Sequence, residues 1–387
     1  MIERELDAIA DSDIQLLVDD GVRERQNLEY KRDLPGGSDL DRREFLADVS
    51  AFANTVGGDL IFGIDEDQGI PTQICGAQSP DFDLEIRRLE NLIRDGLEPR
   101  ISFRTRLVPI GSVKILLIRI DRSWSGPHRV IFRGHDKFYG RNSAGKYPLN
   151  TEELRRAFLG SSARIDRIRN WRVDRVLTLS RNETPISPFA EGGKLVLHCI
   201  PLSSFDEGIR YDVLKYGRSG RLFPMQSPMS FYNTLNFEGA LAHDARDPHQ
   251  FYTQLYRNGT IEAVDAYILA RMSNEDDRRY LPSHAYERVL IDYLPKCLEI
   301  IGELGAKPPI LVAVSMLGVR GLQMGVERSF SNPPPLDRDS LLVPEFLVES
   351  PKEPADVLLR GSFDMIWNAF GYERSGNYDS NGRFNRK

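Results

Sequence analysis

Polar and apolar positions along this chain switch between two periods. Up to Gly21, Leu6, Ile9, Ile14, Leu16 and Leu17 recur at helical spacing and predict a helix from Met1 onward. Residues 26–32 alternate as a strand does, with Leu28 and Tyr30 on one face and Glu29 and Lys31 on the other. Pro35-Gly36-Gly37 breaks that strand. A helix then opens near Asp39 or Asp41, either of which could cap it. Its buried side is Phe45, Leu46, Val49, Phe52 and Ala53, and Gly57-Gly58 stops it. Residues 60–64 form a buried strand that delivers Asp65 and Glu66 at its exit, and Gln68-Gly69 turns the chain. A helix over about residues 84–96 precedes strands at 101–109 and 113–121. Residues 115–120 are apolar nearly throughout, which predicts a central strand. A short strand at 137–139 is followed by a helix start, where Asn150 caps a first turn rich in acids.

Residues 163–176 read as an arginine-rich helix carrying Arg164, Arg167, Arg169, Arg172 and Arg175. Two readings fit it: a solvated helix joining two domains, or a face that contacts phosphates. A new apolar strand at 194–200 marks the start of a second region. That region mixes strands at 251–256, 261–266 and 310–317 with a helix at 285–304. The expected architecture is α+β: a mixed-sheet domain over 1–160, a linking helix over 161–185, and a second α+β domain over 186–373. The Ser-, Gly- and Asn-rich segment 374–387 is expected to be a disordered tail.

A length of 387 residues favours two domains over one core. No apolar run approaches the roughly 20 residues that cross a bilayer. The acidic, amphipathic start does not read as a secretory signal. Cys75, Cys199 and Cys297 stand far apart, which fits neither a disulfide framework nor a thiolate metal site and points to a reducing, cytoplasmic setting. The net charge of −6 gives no overall basic signature of nucleic-acid binding, so such binding would need a local patch.

Glu29 and Lys31 share a strand face two residues apart, and Asp65 ends another strand. If those strands are neighbours, the groups could meet, with Glu24 closing the site. Converging carboxylates beside a cation are what divalent-metal phosphodiester chemistry needs. Exposed carboxylates at strand ends are also common on any surface.

The run Phe52-Ala-Asn-Thr-Val-Gly-Gly58, the apolar strand ending Gly63-Ile-Asp65, and the upstream Glu24-x4-Glu29-x-Lys31 together resemble the Schlafen AlbA-type domain. Phe138-Tyr139-x-Arg141 and Thr151-Glu-Glu-Leu154 extend the likeness, which covers about residues 15–160. The resemblance implies a nuclease acting on structured RNA such as tRNA, in antiviral defence, with Mg or Mn held by Glu24, Glu29 and Asp65 and with Lys31 beside them. Animal Schlafens clamp RNA between two such lobes. One copy occurs here, so a homodimer would supply the second wall. Asn54 and the glycines of the central run read as scaffold, a helix cap and a tight turn.

Arg32, His128, Arg129, Arg141 and Lys146 are the expected nucleic-acid contacts, with RNA favoured and DNA as the other candidate. Gly140-x4-Gly145-Lys146 has phosphate-loop spacing. However, Tyr147 replaces the metal-binding hydroxyl and Pro148 bars the following helix. His198 reads as a core histidine, and His243 and His249 beside Asp244 and Asp247 read as a hydrated loop. Against the nuclease stands a non-catalytic DNA- or RNA-binding regulator whose C-terminal domain senses a ligand or partner. A nucleotide switch at residues 140–146 is a third reading.

Overall fold

The computed structural model describes residues 1–386 apart from 3, 125, 207, 219, 227–229, 271–278 and 327–332. The chain is α+β and divides into two units, Met1–Ala163 and Arg164–Lys387.

The first unit runs α1 (Asp11–Asp19), β1 (Leu28–Lys31), α2 (Asp39–Ala53), β2 (Gly58–Phe62), β3 (Ile64–Asp67), β4 (Ile70–Ile74), α3 (Phe82–Gly96), β5 (Leu97–Glu98), β6 (Phe103–Ile110), β7 (Val113–Ile120), β8 (Arg129–Phe132), β9 (His135–Asn142) and β10 (Gly145–Pro148). Helix α4 (Thr151–Ser180) contains the division between the units. One sheet has the order β1-β2-β7-β6, with β1 parallel to β2 and the other pairs antiparallel. A second has the order β10-β9-β8-β5, and β3-β4 is a separate hairpin.

The two inner strands of the first sheet, β2 and β7, are buried on both faces, which is why residues 115–118 of β7 are apolar without a break. Leu116, Ile118 and Ile120 join Phe45, Val49, Phe52 and Ile93 of α2 and α3. Ile115 and Leu117 join Ile14 and Leu17 of α1, with Leu28 and Tyr30. The alternation along β1 therefore turns Glu29 and Lys31 toward α2.

Three local expectations need correction. The helix expected from Met1 onward begins only at Asp11, after a 3-10 turn at Leu6–Ala8; the Asp13 carboxylate accepts the Ala10 N–H at 2.8 Å and fixes that start. Ser38, rather than Asp39 or Asp41, caps α2, its hydroxyl accepting from the Asp41 N–H at 3.1 Å. The short strand at 137–139 is one arm of the longer β9–β10 hairpin.

The second unit contains β11 (Lys194–Pro201), β12 (Phe231–Leu235), β13 (Gly239–Asp244), β14 (Phe251–Tyr256), β15 (Ile261–Asp265), β16 (Tyr280–Pro282), α5 (Ser283–Glu303), β17 (Ile310–Leu317), β18 (Gln323–Gly325), β19 (Ser340–Leu342), β20 (Phe346–Val348) and α6 (Ala355–Ala369). Its large sheet runs β12-β13-β14-β15-β11-β17-β19, with β20 also on β17. Leu195, Leu197 and Cys199 of β11 face Leu290, Leu294 and Phe363 of the helices. Val196 faces the other way, toward Val176 and Leu179 of α4.

Four arginines of α4 tie the helix to the rest of the second unit. Arg175 grips the fully buried Glu262 with two hydrogen bonds of 2.8 and 2.9 Å. Arg172 donates to Val314 O, Ser315 Oγ and Val343 O, Arg164 pairs with Asp206, and Arg169 pairs with Glu345. These four are internal ties, which departs from both a solvated linker and a phosphate-contacting face.

The segment from residue 374, expected to be a disordered tail, packs instead. Phe384 is buried, Tyr378 donates to Asp356 O at 2.7 Å, and Ser375 donates to the buried Glu287 carboxylate. Among the described residues no helix is long and apolar enough to cross a membrane.

Candidate functional site

The Glu29 side chain leaves β1 on the α2 side and meets two cations. Lys31 Nζ sits on Oε1, and Arg141 Nη1 sits on Oε2. Arg141 comes from β9 and is 4% exposed. Its guanidinium lies 4.4 Å over the Phe52 ring, a cation–π contact. Its N–H donates to Thr55 Oγ1 at 3.2 Å, and its carbonyl accepts from Gln26 Nε2 at 2.9 Å. Directly across the hairpin from Arg141 stands Lys146, whose Nζ lies 2.8 Å from Asp48 and 2.7 Å from Glu44. Glu24 enters from the turn before β1. Its N–H donates to Gly69 O at 2.6 Å, and its Oε1 accepts the Tyr30 N–H at 2.8 Å.

Glu24, Glu29, Asp48, Arg141 and Lys146 line a cavity of about 460 Å³. Arg23 and Arg25 complete its mouth, and both are exposed. Arg23 has no side-chain partner among the described residues, while Arg25 makes one long hydrogen bond of 3.4 Å to Met1 O.

The charges inside are tuned by burial and by each other. Burial works to raise the Glu29 pKa, but Lys31 and Arg141 outweigh it and hold the carboxyl below its usual range. Burial, then the Glu29 charge, pushes Asp48 up to about 6 against the pull of Lys146. Burial also raises Glu24, opposed by the Tyr30 N–H. Lys31 and Lys146 are raised: burial disfavours their charge, and the surrounding carboxylates more than restore it.

Asp65 does not join this group. Gly63, at φ 102°, turns the chain out of the sheet into the β3–β4 hairpin, and a Cβ there would meet Ala77 N at 2.4 Å. Asp65 then pairs with exposed Arg32 at 3.1 Å and does not line the cavity. Among the described residues, no group of three or more His, Cys, Asp or Glu side chains stands as metal ligands would. The set Glu24, Glu29 and Asp65 therefore does not fit a divalent ion in this geometry. Glu29 spends both oxygens on side-chain cations, and the third carboxylate is elsewhere.

The expected nucleic-acid contacts separate in the same way. Arg141 and Lys146 line the cavity. His128 is buried, with Nδ1 2.6 Å from Pro99 O and Nε2 against Ser123 Oγ, and burial lowers its pKa, so its place is structural. Arg129 is bound to Glu98 and Asp136 on the surface. The phosphate-loop spacing at 140–146 is a β-hairpin turn in which Asn142 Oδ1 accepts from Ala144 N–H at 2.9 Å, so no helix N-terminus faces a phosphate there.

His198 is a core residue on Glu262 at 3.0 Å. His243 and His249 both turn Nδ1 to Asp244 O.

The central motif serves the fold, with one addition. Cβ atoms on Gly57 and Gly58 would meet Arg122 N at 2.6 Å and the Phe52 ring at 2.4 Å. Asn54 reaches beyond the helix end: its Nδ2 donates to His128 O and Tyr139 O, and its Oδ1 accepts from the His128 N–H. It ties α2 to the β8–β9 arm that carries Arg141.

Asp48, Arg23 and Arg25 were missed. The signal for Asp48 was present, a lone acid inside the apolar run Phe45-Leu-Ala-Asp-Val49.

Residues 24–150 match the family model described as Schlafen, AlbA_2, and that segment is a Schlafen AlbA_2 domain. Among solved structures, the chain is similar to the N-terminal domain of a RecG-related protein from Nitrosomonas europaea. The identity is 21% over 37% of this chain and 93% of that one, with a TM-score of 0.27. It is also similar to the DIP2311 protein from Corynebacterium diphtheriae, at 17% identity over 38% of this chain and 28% of that one, with a TM-score of 0.28. No curated protein matches the chain.

Proposed function

We propose that the AlbA_2 domain binds nucleic acid, structured RNA in preference to DNA, across the cavity between β1, α2 and the β9–β10 hairpin. The observation that carries this reading is the cavity mouth, where exposed Arg23 and Arg25 stand beside Lys146. Paired cations at the edge of a cleft are suited to successive phosphates of a backbone. The Schlafen AlbA_2 match supports a nucleic-acid-related function in general. A second copy of the chain would supply the opposing wall of a clamp.

Binding is favoured over metal-dependent cleavage because Lys31 and Arg141 take both oxygens of Glu29 and Arg32 pairs with Asp65. In an electrophoretic shift assay in EDTA, the protein should retard a tRNA-like hairpin. Arg23→Glu combined with Arg25→Glu should weaken this about tenfold or more and lower the salt slope by about 2. Retardation that is absent, or indifferent to the double substitution, would sink the reading. Products appearing once Mg²⁺ or Mn²⁺ is added, and lost in Glu29→Ala and Asp65→Ala, would instead establish a nuclease.

A further inference from the structure

We infer that Arg141 and Lys31 are the resident cations of this site, standing on Glu29 where a divalent ion would stand, so that the cavity takes up phosphodiester groups through its exposed arginines without metal. Both oxygens of Glu29 are taken, one by each cation. Arg141 is not a surface partner that swings aside. Phe52 packs against its guanidinium, Thr55 and Gln26 hold its backbone on either side, and the side chain is 3% exposed. Displacing it would strand a buried guanidinium and break a pair in low dielectric, a cost that an incoming hydrated ion would have to match.

The second acid near the cavity is occupied in the same way, Asp48 by Lys146 at 2.8 Å. Glu24 gives one oxygen to the Tyr30 N–H. Lys31 and Arg141 thus both stand on Glu29, and Lys146 stands on Asp48 and Glu44. An ion entering here would have to displace a cation already paired with these acids. The exposed arginines at the cavity mouth tip the site toward polyanions.

The nature of the bound polymer rests on the reading above; the absence of a metal requirement does not. The experiment is a Mn²⁺ titration of the full chain without nucleic acid, following the free-ion signal by electron paramagnetic resonance. The wild type should take up no ion dependent on Glu29 at concentrations up to about 1 mM, the weak end of protein sites for hard divalent cations. Arg141→Ala should gain an ion that Glu29→Gln, added to it, removes. Uptake by the wild type that Glu29→Gln abolishes would overturn the inference. If Arg141→Ala does not fold, the comparison of wild type with Glu29→Gln alone decides the question. Failure here would leave binding to RNA in EDTA standing, and failure to bind RNA would leave the ion result standing.

Discussion

Glu262→Ala should cost the second unit about 3–5 kcal/mol at neutral pH, enough to unfold a domain of ordinary stability. Glu262 is fully buried on β15, and four side chains close on it. Arg175 donates twice, Tyr252 donates at 2.9 Å, Tyr256 donates at 3.5 Å, and His198 Nε2 lies at 3.0 Å. Burial alone would raise its pKa. The His198 hydrogen bond and Arg175 reverse that and bring it to about 2, from a reference of 4.5. Burial lowers the His198 pKa, and because the ionised Glu262 carboxylate can only accept, the Nε2–H of His198 is the donor. Truncation would leave a guanidinium in the core with no counter-charge.

The pH dependence follows from the depressed value. The contribution of Glu262 is fully present above about 4.5 and is lost as pH falls through about 2. Urea midpoints of wild type and Glu262→Gln should therefore differ most near pH 7 and converge only as pH falls to about 2. A midpoint for Glu262→Ala within about 1 kcal/mol of wild type would show that the pair is not built as described.

Asp59→Ala should have a similar effect in the first unit, about 3–5 kcal/mol. Asp59, with no exposed surface, accepts from Arg119 Nε at 2.7 Å and Nη2 at 2.9 Å, and from the Ile2 N–H at 2.7 Å. Arg119 also donates to Arg4 O and Ile2 O. One ion pair between β2 and β7 thus fastens the chain ahead of α1. Limited proteolysis should cut Asp59→Ala first near residues 2–6, before global unfolding. Replacing both partners together, Asp59→Leu with Arg119→Met, should recover much of the loss, because no lone charge remains. Cleavage no faster than in wild type would count against this role.

What could be read from sequence was what period encodes. Alternation in residues 28–31 put Glu29 and Lys31 on one face, and the apolar run 115–120 announced a strand covered on both sides; both are as observed. What could not be read was which distant element closes over that face. Arg141 reaches Glu29 across 112 positions, and nothing local to either residue encodes the pairing. Asp65 was set beside the other acids on the condition that its strand neighbours that of Glu29, and β1 and β2 do pair. The positive φ of Gly63 diverts Asp65, and the glycine gives no warning of which way the chain will turn. The arginines of α4 looked like a solvated or phosphate-facing row because a 3.6-residue period does not tell whether the far side is water or another sheet.

Arg141 and Lys146 face each other directly across the β9–β10 hairpin, a like-charged pair that would repel if each did not own a separate acid. Their placement depends on register, and the turn at Ser143-Ala144 sets that register. A single added residue there would send one cation to the opposite face of the hairpin and orphan either Glu29 or Asp48. The turn is exposed and polar, the kind of place an engineer would choose for a tag or a labelled loop. In this protein it works as a gauge that spaces two charges, and its length is less negotiable than its composition.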